Sequence, residues 1–371
     1  MALRNTLHSF TTLNAPPTGH SADNIPYSRP VTPGASEQPL KIGWVGLGAM
    51  GYPMARNLAA TPPTHPAVGL PIKVWNRSDG KSHELVKELG EGKVSIAQSP
   101  GELAVECDII FTSLASDEVV EIVYGQFAEA LKTHPPSKAK IFVETSTIYP
   151  TVAGKLDKLI SSIPHCRLIT SPVFGPPAAA KEGHLVAYLA GDYQSKKLIA
   201  HLLVPAVARK VTDLGGNLEK APTMKLIGNS MILGCLELLA ESFTLGAKSG
   251  IDQQIIHDWV KEMFPVPLFA HYGDKMLNNK FDGSIGFGID GGIKDASHIR
   301  RLTSQVNSPM PVTDVAHQHL LAARAIHTTQ ARTGAQDFEV LDWSALIAGT
   351  RVAAGLDPFH KDEPSGVVKD D

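Results

Sequence analysis

An α/β fold, a doubly wound and mostly parallel sheet followed by an all-helical domain, is predicted by three observations. Short apolar runs alternate with helix-period segments from Lys41 onward, the pattern of buried parallel strands joined by crossover helices. The strand-like runs stop near Gly215. Beyond that point every periodic segment has helical spacing, starting with the long apolar stretch LEKAPTMKLIGNSMILGCLELLAESFTLGAKSG.

The strands read, in order, as KIGWV, PIKVW, VECDIIFTSL, KIFVETS and CRLITSPV, with HLVAYLAG and RKVTDLG extending the sheet to about Gly215. Between them AMGYPMARNLAA, KSHELVKELG and DEVVEIVYGQFAEALK have helical spacing. The long helix tolerates Pro222 because that residue falls in the first turn, where an N–H has no intrahelical partner. Helical segments Gln253–Met263, Ile293–Ser304, Thr313–Ala325 and Trp343–Ala354 follow, and no internal repeat is present. The organisation expected is an arm over 1–39, a nucleotide-binding domain over 40–215, a helical domain over 216–356 and a tail over 357–371.

Composition bounds the function. A 371-residue chain with 43% hydrophobic and 19% charged residues has room for two sizeable cores. A formal net charge of −3 gives no reason to expect nucleic acid or an anionic membrane as partner. The cysteines Cys107, Cys166 and Cys235 are far apart and odd in number, which argues against a disulfide framework and for a reducing, cytoplasmic setting. The longest uncharged apolar run, Leu226 to Leu236, is followed by Glu237 and Glu241 and reads as too short to span a bilayer. The arm NAPPTGHSADNIPYSRPVTPGASEQP is too poor in apolar residues to order itself. Residues 1–22 lack Asp and Glu and contain Arg4, so a mitochondrial presequence is the alternative to a plain arm.

The stretch VGLGAMG sets Gly46, Gly48 and Gly51 in the order G-x-G-x-x-G, with Leu47, Ala49 and Met50 between them. It closes a strand and opens a helix, the context a dinucleotide turn needs, and so predicts a Rossmann-like domain. Gly46 permits the tight turn, Gly48 lets the backbone approach a pyrophosphate, and Gly51 lets helix and strand pack closely. The helix N-terminus offers free N–H groups to the phosphates. The second strand ends in VWNRSDG, with Asn76, Arg77 and Ser78 where an NAD enzyme carries a carboxylate. Arginine attracts a 2′-phosphate, and Asn and Ser can donate to it, so NADPH is expected over NADH. The competing reading makes Arg77 a surface charge and gives the ribose to Asp79.

Lys225 and Asn229, four residues apart at the start of the long helix, share one face. Two readings of Lys225 stand on the residues alone. It is a flank residue whose stem covers apolar surface while the amine stays in water, or a functional amine in a cleft between the domains. No metal is expected: the 15 histidines form no HxxxH or HExxH pattern with carboxylate support, and His317 and His319 fall on different helix faces.

These motifs together resemble the β-hydroxyacid dehydrogenases, a family that includes 3-hydroxyisobutyrate dehydrogenase, the glyoxylate/succinic semialdehyde reductases and, more distantly, 6-phosphogluconate dehydrogenase. The resemblance runs from about Lys41 to Leu356 and rests on GWVGLGAMGYPMARNL, CDIIFTSLASDEVV, ETSTIYP, SPVFG, KLIGN, GFGIDGGIKDASH and LDWSALI. It implies that Lys225 is the acid/base of a hydride-transfer reaction and that Asn229 helps hold the substrate. An ammonium beside the carbonyl oxygen supplies the proton and stabilises the developing charge. The resemblance further implies that Thr147 lies beside the nicotinamide and that Lys294 contacts cofactor across the cleft. By the same likeness Asp295 orients the catalytic groups, Phe287 lines the pocket, and Leu114 and Ala115 pass close to the cofactor ribose. Members of the family pair through the helical domain, and the helix from Lys225 to Gly250 is too apolar to face water. A homo-oligomer, dimer or tetramer, is therefore expected.

One loop departs from the family. Where members acting on small hydroxy acids read PVSGG or close to it, this chain has PVFGP. Phe174 removes a side-chain donor and Pro176 removes a backbone N–H, leaving Gly175. A hydrogen bond to a charged group is worth about 1.5–3 kcal/mol, so the loss matters to a carboxylate site. The loop has either a different carboxylate grip or a pocket reshaped toward a larger or less acidic ketone or imine. The first reading is an NADPH-preferring enzyme interconverting a small 3-hydroxy acid and its aldehyde or ketone. A non-catalytic nucleotide-binding scaffold is the rival class, and it needs none of Lys225, Asn229, Thr147 and Lys294.

Overall fold

The structure, a computed structural model, describes residues 24–28, 39–61 and 68–360. The presequence reading, most of the arm and all but four residues of the tail lie outside the described residues. Among the described residues the sheet has nine strands: β1 (Leu40–Val45), β2 (Val68–Trp75), β3 (Val94–Ile96), β4 (Ile109–Thr112), β5 (Lys140–Glu144), β6 (Cys166–Thr170), β7 (Val173–Phe174), β8 (Leu185–Gly191) and β9 (Ala208–Asp213). Their order is β3-β2-β1-β4-β5-β6-β8-β7, with β9 paired to β8. The first six strands in that order pair in parallel, β8 runs antiparallel to β6 and β7, and β9 is parallel to β8. The order reverses direction at β1, so the crevice beyond the ends of β1 and β4 is the place where such sheets bind ligands.

Helices α1 (Gly51–Ala60), α2 (Gly80–Leu89), α6 (Pro177–Lys181) and α7 (Tyr193–Leu203) contribute to one apolar cluster, and α3 (Pro100–Glu106), α4 (Asp117–Thr133) and α5 (Pro150–Ser161) to another. The second cluster does not end at the sheet. Val152 and Leu156 of α5 belong to the same buried core as Leu226 and Leu233 of α8 (Lys220–Ser249), so the two domains share one interior. Each such buried side chain is worth about 1.5–3 kcal/mol. The junction between them is pinned by Thr170 Oγ1, which donates to Leu218 O at 2.8 Å. The helical domain continues as α9 (Gln253–Met263), α10 (Pro267–Leu277), α11 (Ile289–Gln305), α12 (Pro311–Thr333), a 3-10 turn (Trp343–Leu346) and α13 (Ile347–Ala353).

Several expectations are corrected. β3 is three residues long, too short to show a period, and is absent from the strands expected above. The CRLITSPV run breaks at Ser171-Pro172, so Val173 and Phe174 form a separate strand against Ala187 and Val186. Within the expected arm Tyr27 is buried, edge-on to Tyr193 at 5.6 Å, and belongs to the α/β core. The run from Leu226 also proves longer than its sequence suggests. α8 contains an 18-residue window of mean hydropathy 1.3, long and apolar enough to cross a membrane, yet 56% of that window is buried inside the protein. Glu237, expected to end the run, is itself buried and 2.7 Å from His319 Nδ1.

Candidate active site

The glycine-rich turn joins β1 to α1. Gly46 has φ +96°, and a Cβ there would sit 2.2 Å from Ser113 O. A Cβ on Gly51 would sit 2.0 Å from Gly46 O, whereas one on Gly48 would meet open space. The three glycines thus differ in their surroundings: two are demanded by close packing and the third leaves a clear approach to the backbone. No side chain caps the N-terminus of α1 at Met50, and Ala49 is exposed beside Gly48. A phosphate-bearing dinucleotide fits this arrangement of unopposed amides.

The end of β2 braces the turn. Gly46 N donates to Trp75 O at 2.9 Å, and Leu47 N donates to Asn76 Oδ1 at 2.9 Å. Asn76 Nδ2 in turn donates to Ser78 O at 2.9 Å and Ser78 Oγ at 3.1 Å. Both ends of the Asn76 amide are therefore engaged within the protein, while Arg77 and Ser78 are exposed.

The β4 and β5 ends are tied together through a buried acid. Leu114 N donates to Ser146 Oγ at 2.7 Å, and Ser146 N donates to Glu144 Oε1 at 2.6 Å. Thr112 Oγ1 donates to Glu144 Oε2 at 2.8 Å. Burial pushes the Glu144 carboxyl up to about 7, against the lowering by its Ser146 and Thr112 hydrogen bonds and the charge of Lys294. Ala115, next to Leu114, is exposed.

Across the crevice lies the start of α8. Asn229 is buried, and its Nδ2 donates to Asp295 Oδ2 on α11 at 2.6 Å. Asp295 is fully buried; its other oxygen has the Lys294 ammonium at 3.2 Å without a well-aligned hydrogen bond. Lys294 Nζ donates to Thr147 O at 2.5 Å, linking α11 to the loop after β5. Lys225, one turn before Asn229, has its Nζ 4.3 Å from the centroid of the Phe174 ring. Burial lowers the Lys225 ammonium to about 8; the Asp295 carboxylate opposes that and the Lys294 charge adds to it.

One face of α11 holds the two domains in register. Besides Lys294, His298 Nε2 lies 3.3 Å from Asp117 Oδ1, and Arg301 lies 3.9 Å above the Tyr149 ring centroid. Tyr149 Oη donates to Gln305 Oε1 at 2.5 Å. Positions 294, 298, 301 and 305 recur at helical spacing, so all four face the α/β domain.

The structure thus brings Lys225, Asn229, Asp295, Lys294, Thr147 and Phe174 together. Phe287 stands differently: its amide donates to Asp342 Oδ2 at 2.9 Å, and its ring packs edge-on to Trp343 at 4.7 Å. Gly175 has φ +136°, and a Cβ there would lie 2.6 Å from Leu185 Cδ2, so the backbone itself demands glycine. Sequence reasoning missed Gly228, Tyr188, Glu144 and, beyond Lys294, the rest of the α11 stripe (His298, Arg301 and Gln305). A glycine inside a helical run was the available signal for Gly228. Among the described residues no three His, Cys, Asp or Glu side chains cluster to hold a metal ion.

Residues 41–216 match the NAD-binding domain of 6-phosphogluconate dehydrogenase, and residues 220–338 match a second family, described as NAD-binding of NADP-dependent 3-hydroxyisobutyrate dehydrogenase. An uncharacterized oxidoreductase of Bacillus subtilis is 28% identical over 312 residues, covering 83% of this chain and 99% of the relative. Mouse mitochondrial 3-hydroxyisobutyrate dehydrogenase is 27% identical over 294 residues, or 76% of this chain and 81% of the relative. The crystal structure of a 3-hydroxyisobutyrate dehydrogenase from Salmonella typhimurium superposes with a TM-score of 0.66 at 20% identity, covering 83% of this chain and 99% of that one. At that identity the likeness speaks for the fold.

Proposed function

Because the chain belongs to the β-hydroxyacid dehydrogenase family of NAD(P)-dependent oxidoreductases, we propose that it interconverts a carbonyl compound and its alcohol with Lys225 as proton donor and acceptor. The observation that carries this reading is the convergence of Lys225, Asn229 and Asp295 on the crevice side of α8 and α11, opposite Thr147. A reduced dinucleotide held by its pyrophosphate at the Gly46–Gly51 turn would supply the hydride. Lys225 gives its proton to the carbonyl oxygen as negative charge develops there, and the ammonium stabilises that charge before transfer. With its ammonium near 8, Lys225 is largely protonated at neutral pH and releases a proton without a large penalty. Asn229 and Asp295 act together: the amide fixes the carboxylate, and the carboxylate holds positive charge at Lys225.

NADPH is the preferred coenzyme in this reading, with Arg77 facing the 2′-phosphate and Ser78 beside it. Asn76 supports the turn from behind. Two substrate readings follow. A small 3-hydroxy acid and its aldehyde or ketone accords with the family. A larger, less acidic ketone or imine is favoured by one observation, the Phe174 ring against the Lys225 amine at the loop position where the family carries a serine donor. The protein is also proposed to be a homo-oligomer, dimer or tetramer. Met231 (69% exposed), Leu238 (53%) and Leu245 (68%) form an apolar stripe along α8, continued by exposed Trp259 and Met263 of α9.

The test is turnover of a panel of semialdehydes, keto acids and cyclic imines with NADPH, comparing wild type with Lys225→Gln. Loss of about 10²–10⁴-fold in kcat is expected for removal of a general acid. Unchanged turnover in the variant would remove Lys225 from the chemistry.

A further inference from the structure

Phe174 and Gly228 are fitted to each other. An ideal Cβ on Gly228 would lie 2.3 Å from Cε1 and 2.4 Å from Cζ of Phe174, so the ring edge rests directly on the α8 backbone. Glycine inside a helix is unfavourable, and this packing is the reason for it here. Tyr188 meets the ring edge-on, with centroids 5.4 Å apart and planes at 78°. The pairing of Phe174 with Val186 in the β7–β8 ladder fixes its backbone. The ring is thus held by a ladder, a second ring and a helix, and its face is turned to the Lys225 ammonium at 4.3 Å, within cation–π range.

We propose that Phe174, seated on Gly228, is the positioning residue of Lys225, and that it makes this wall of the site apolar, selecting substrates whose chain on the reacting carbonyl carbon carries no carboxylate. The selectivity half rests on Lys225 being the proton donor; the positioning half does not. From α11 the charged groups acting on Lys225 are Asp295 and Lys294. From the β7–β8 side it is met by the Phe174 ring, with Tyr188 behind. The next residue that could bind an anion through its amide is Gly175, since Pro176 and Pro177 have no N–H.

The positioning half is read without turnover. Full-length protein labelled at lysine Cε is titrated by NMR, with the Lys225 signal assigned by its loss in Lys225→Gln. A ring face favours the charged amine, so Phe174→Leu, which keeps apolar bulk, is expected to lower the Lys225 midpoint by about half to one pH unit. Phe174→Tyr is expected to keep it. Gly228→Ala pushes the ring away and lowers the midpoint in the presence of Phe174. Added to Phe174→Ala it is expected to be silent, the non-additivity of residues in contact. A midpoint unchanged or raised in Phe174→Leu overturns the proposal, as does an equal effect of Gly228→Ala with and without the ring. NADPH binding by each variant verifies the fold. For selectivity, kcat/KM with NADPH is compared for pentanal and succinic semialdehyde, which differ chiefly in the carboxylate. Wild type is expected to favour pentanal, and Phe174→Ser to reduce that ratio by about tenfold or more. A wild type that favours succinic semialdehyde overturns the selectivity half. Full turnover by Lys225→Gln would sink the proton-donor reading instead, and the NMR titration would still judge the ring.

Discussion

The Asn229 amide donates to the Asp295 carboxylate across 2.6 Å, joining α8 to α11 one turn from Lys225. Both groups are buried, so each relies on the other for the hydrogen bond water would otherwise supply. The pair does electrostatic work as well. Burial drives the Lys225 ammonium down to about 8, and the Asp295 charge is what opposes a deeper fall.

In the proposed reaction Lys225 gives its proton to the carbonyl, so kcat/KM for reduction is expected to fall as pH rises through about 8, and alcohol oxidation to gain over the same range. Asp295→Asn removes the opposing charge while keeping the shape. Its reductive limb is expected to move to lower pH by roughly one unit or more. A pH–rate profile identical to wild type would mean that Asp295 does not act on Lys225.

Arg77 is exposed beside an Asn76 already committed to the turn. Arg77→Ala is therefore expected to weaken NADPH binding by about 10–100-fold, the worth of a charge-assisted hydrogen bond, and to leave NADH binding unchanged. Asn76→Ala should weaken both coenzymes, because it releases Leu47 N. Fluorescence titration with each nucleotide distinguishes the two. Equal losses for NADPH and NADH in Arg77→Ala would contradict the proposed 2′-phosphate contact.

Glu144 is buried and its carboxyl is raised to about 7 from an ordinary value of 4.5. The folded state then binds more protons than the unfolded one between those values, so stability is fully present below about 4.5 and declines as pH rises through about 7. Glu144→Gln should flatten that decline, which is worth on the order of 3 kcal/mol at most. Denaturant unfolding of both proteins at pH 5 and pH 7.5 measures it. An equal decline in the variant would place the titration elsewhere.

Leu238 and Met231 lie exposed on a helix whose opposite face is core. Leu238→Asp or Met231→Asp is expected to shift the assembly toward monomer in analytical ultracentrifugation, with little change in the far-ultraviolet circular dichroism. A wild type that sediments as a monomer would leave the stripe without a partner of its own kind.

What could be read before folding was local. The glycine turn declares itself because Gly46, Gly48 and Gly51 act on their own backbone and on the strand and helix beside them. Lys225 and Asn229 were legible as a pair because four residues make one helical turn. The remaining pairs join distant parts of the chain, and no spacing rule covers them. Asn229 and Asp295 are 66 residues apart in sequence, and Lys294 reaches back 147 residues to Thr147. Asn76 had the residue type of a phosphate donor, but both ends of its amide bind within the protein.

The alternation of strands and helices, the dinucleotide turn and the placing of Lys225 and Asn229 on one face of α8 were thus open to local reading, because each depends on neighbours within a turn or two. What surrounds the Lys225 amine comes from the packing of distant segments. Phe174 read as the loss of a donor; packing makes it a ring seated on Gly228 with its face to Lys225. Such a contact comes from close-packing β7 against α8, and close packing is a property of the folded interior that no local pattern records.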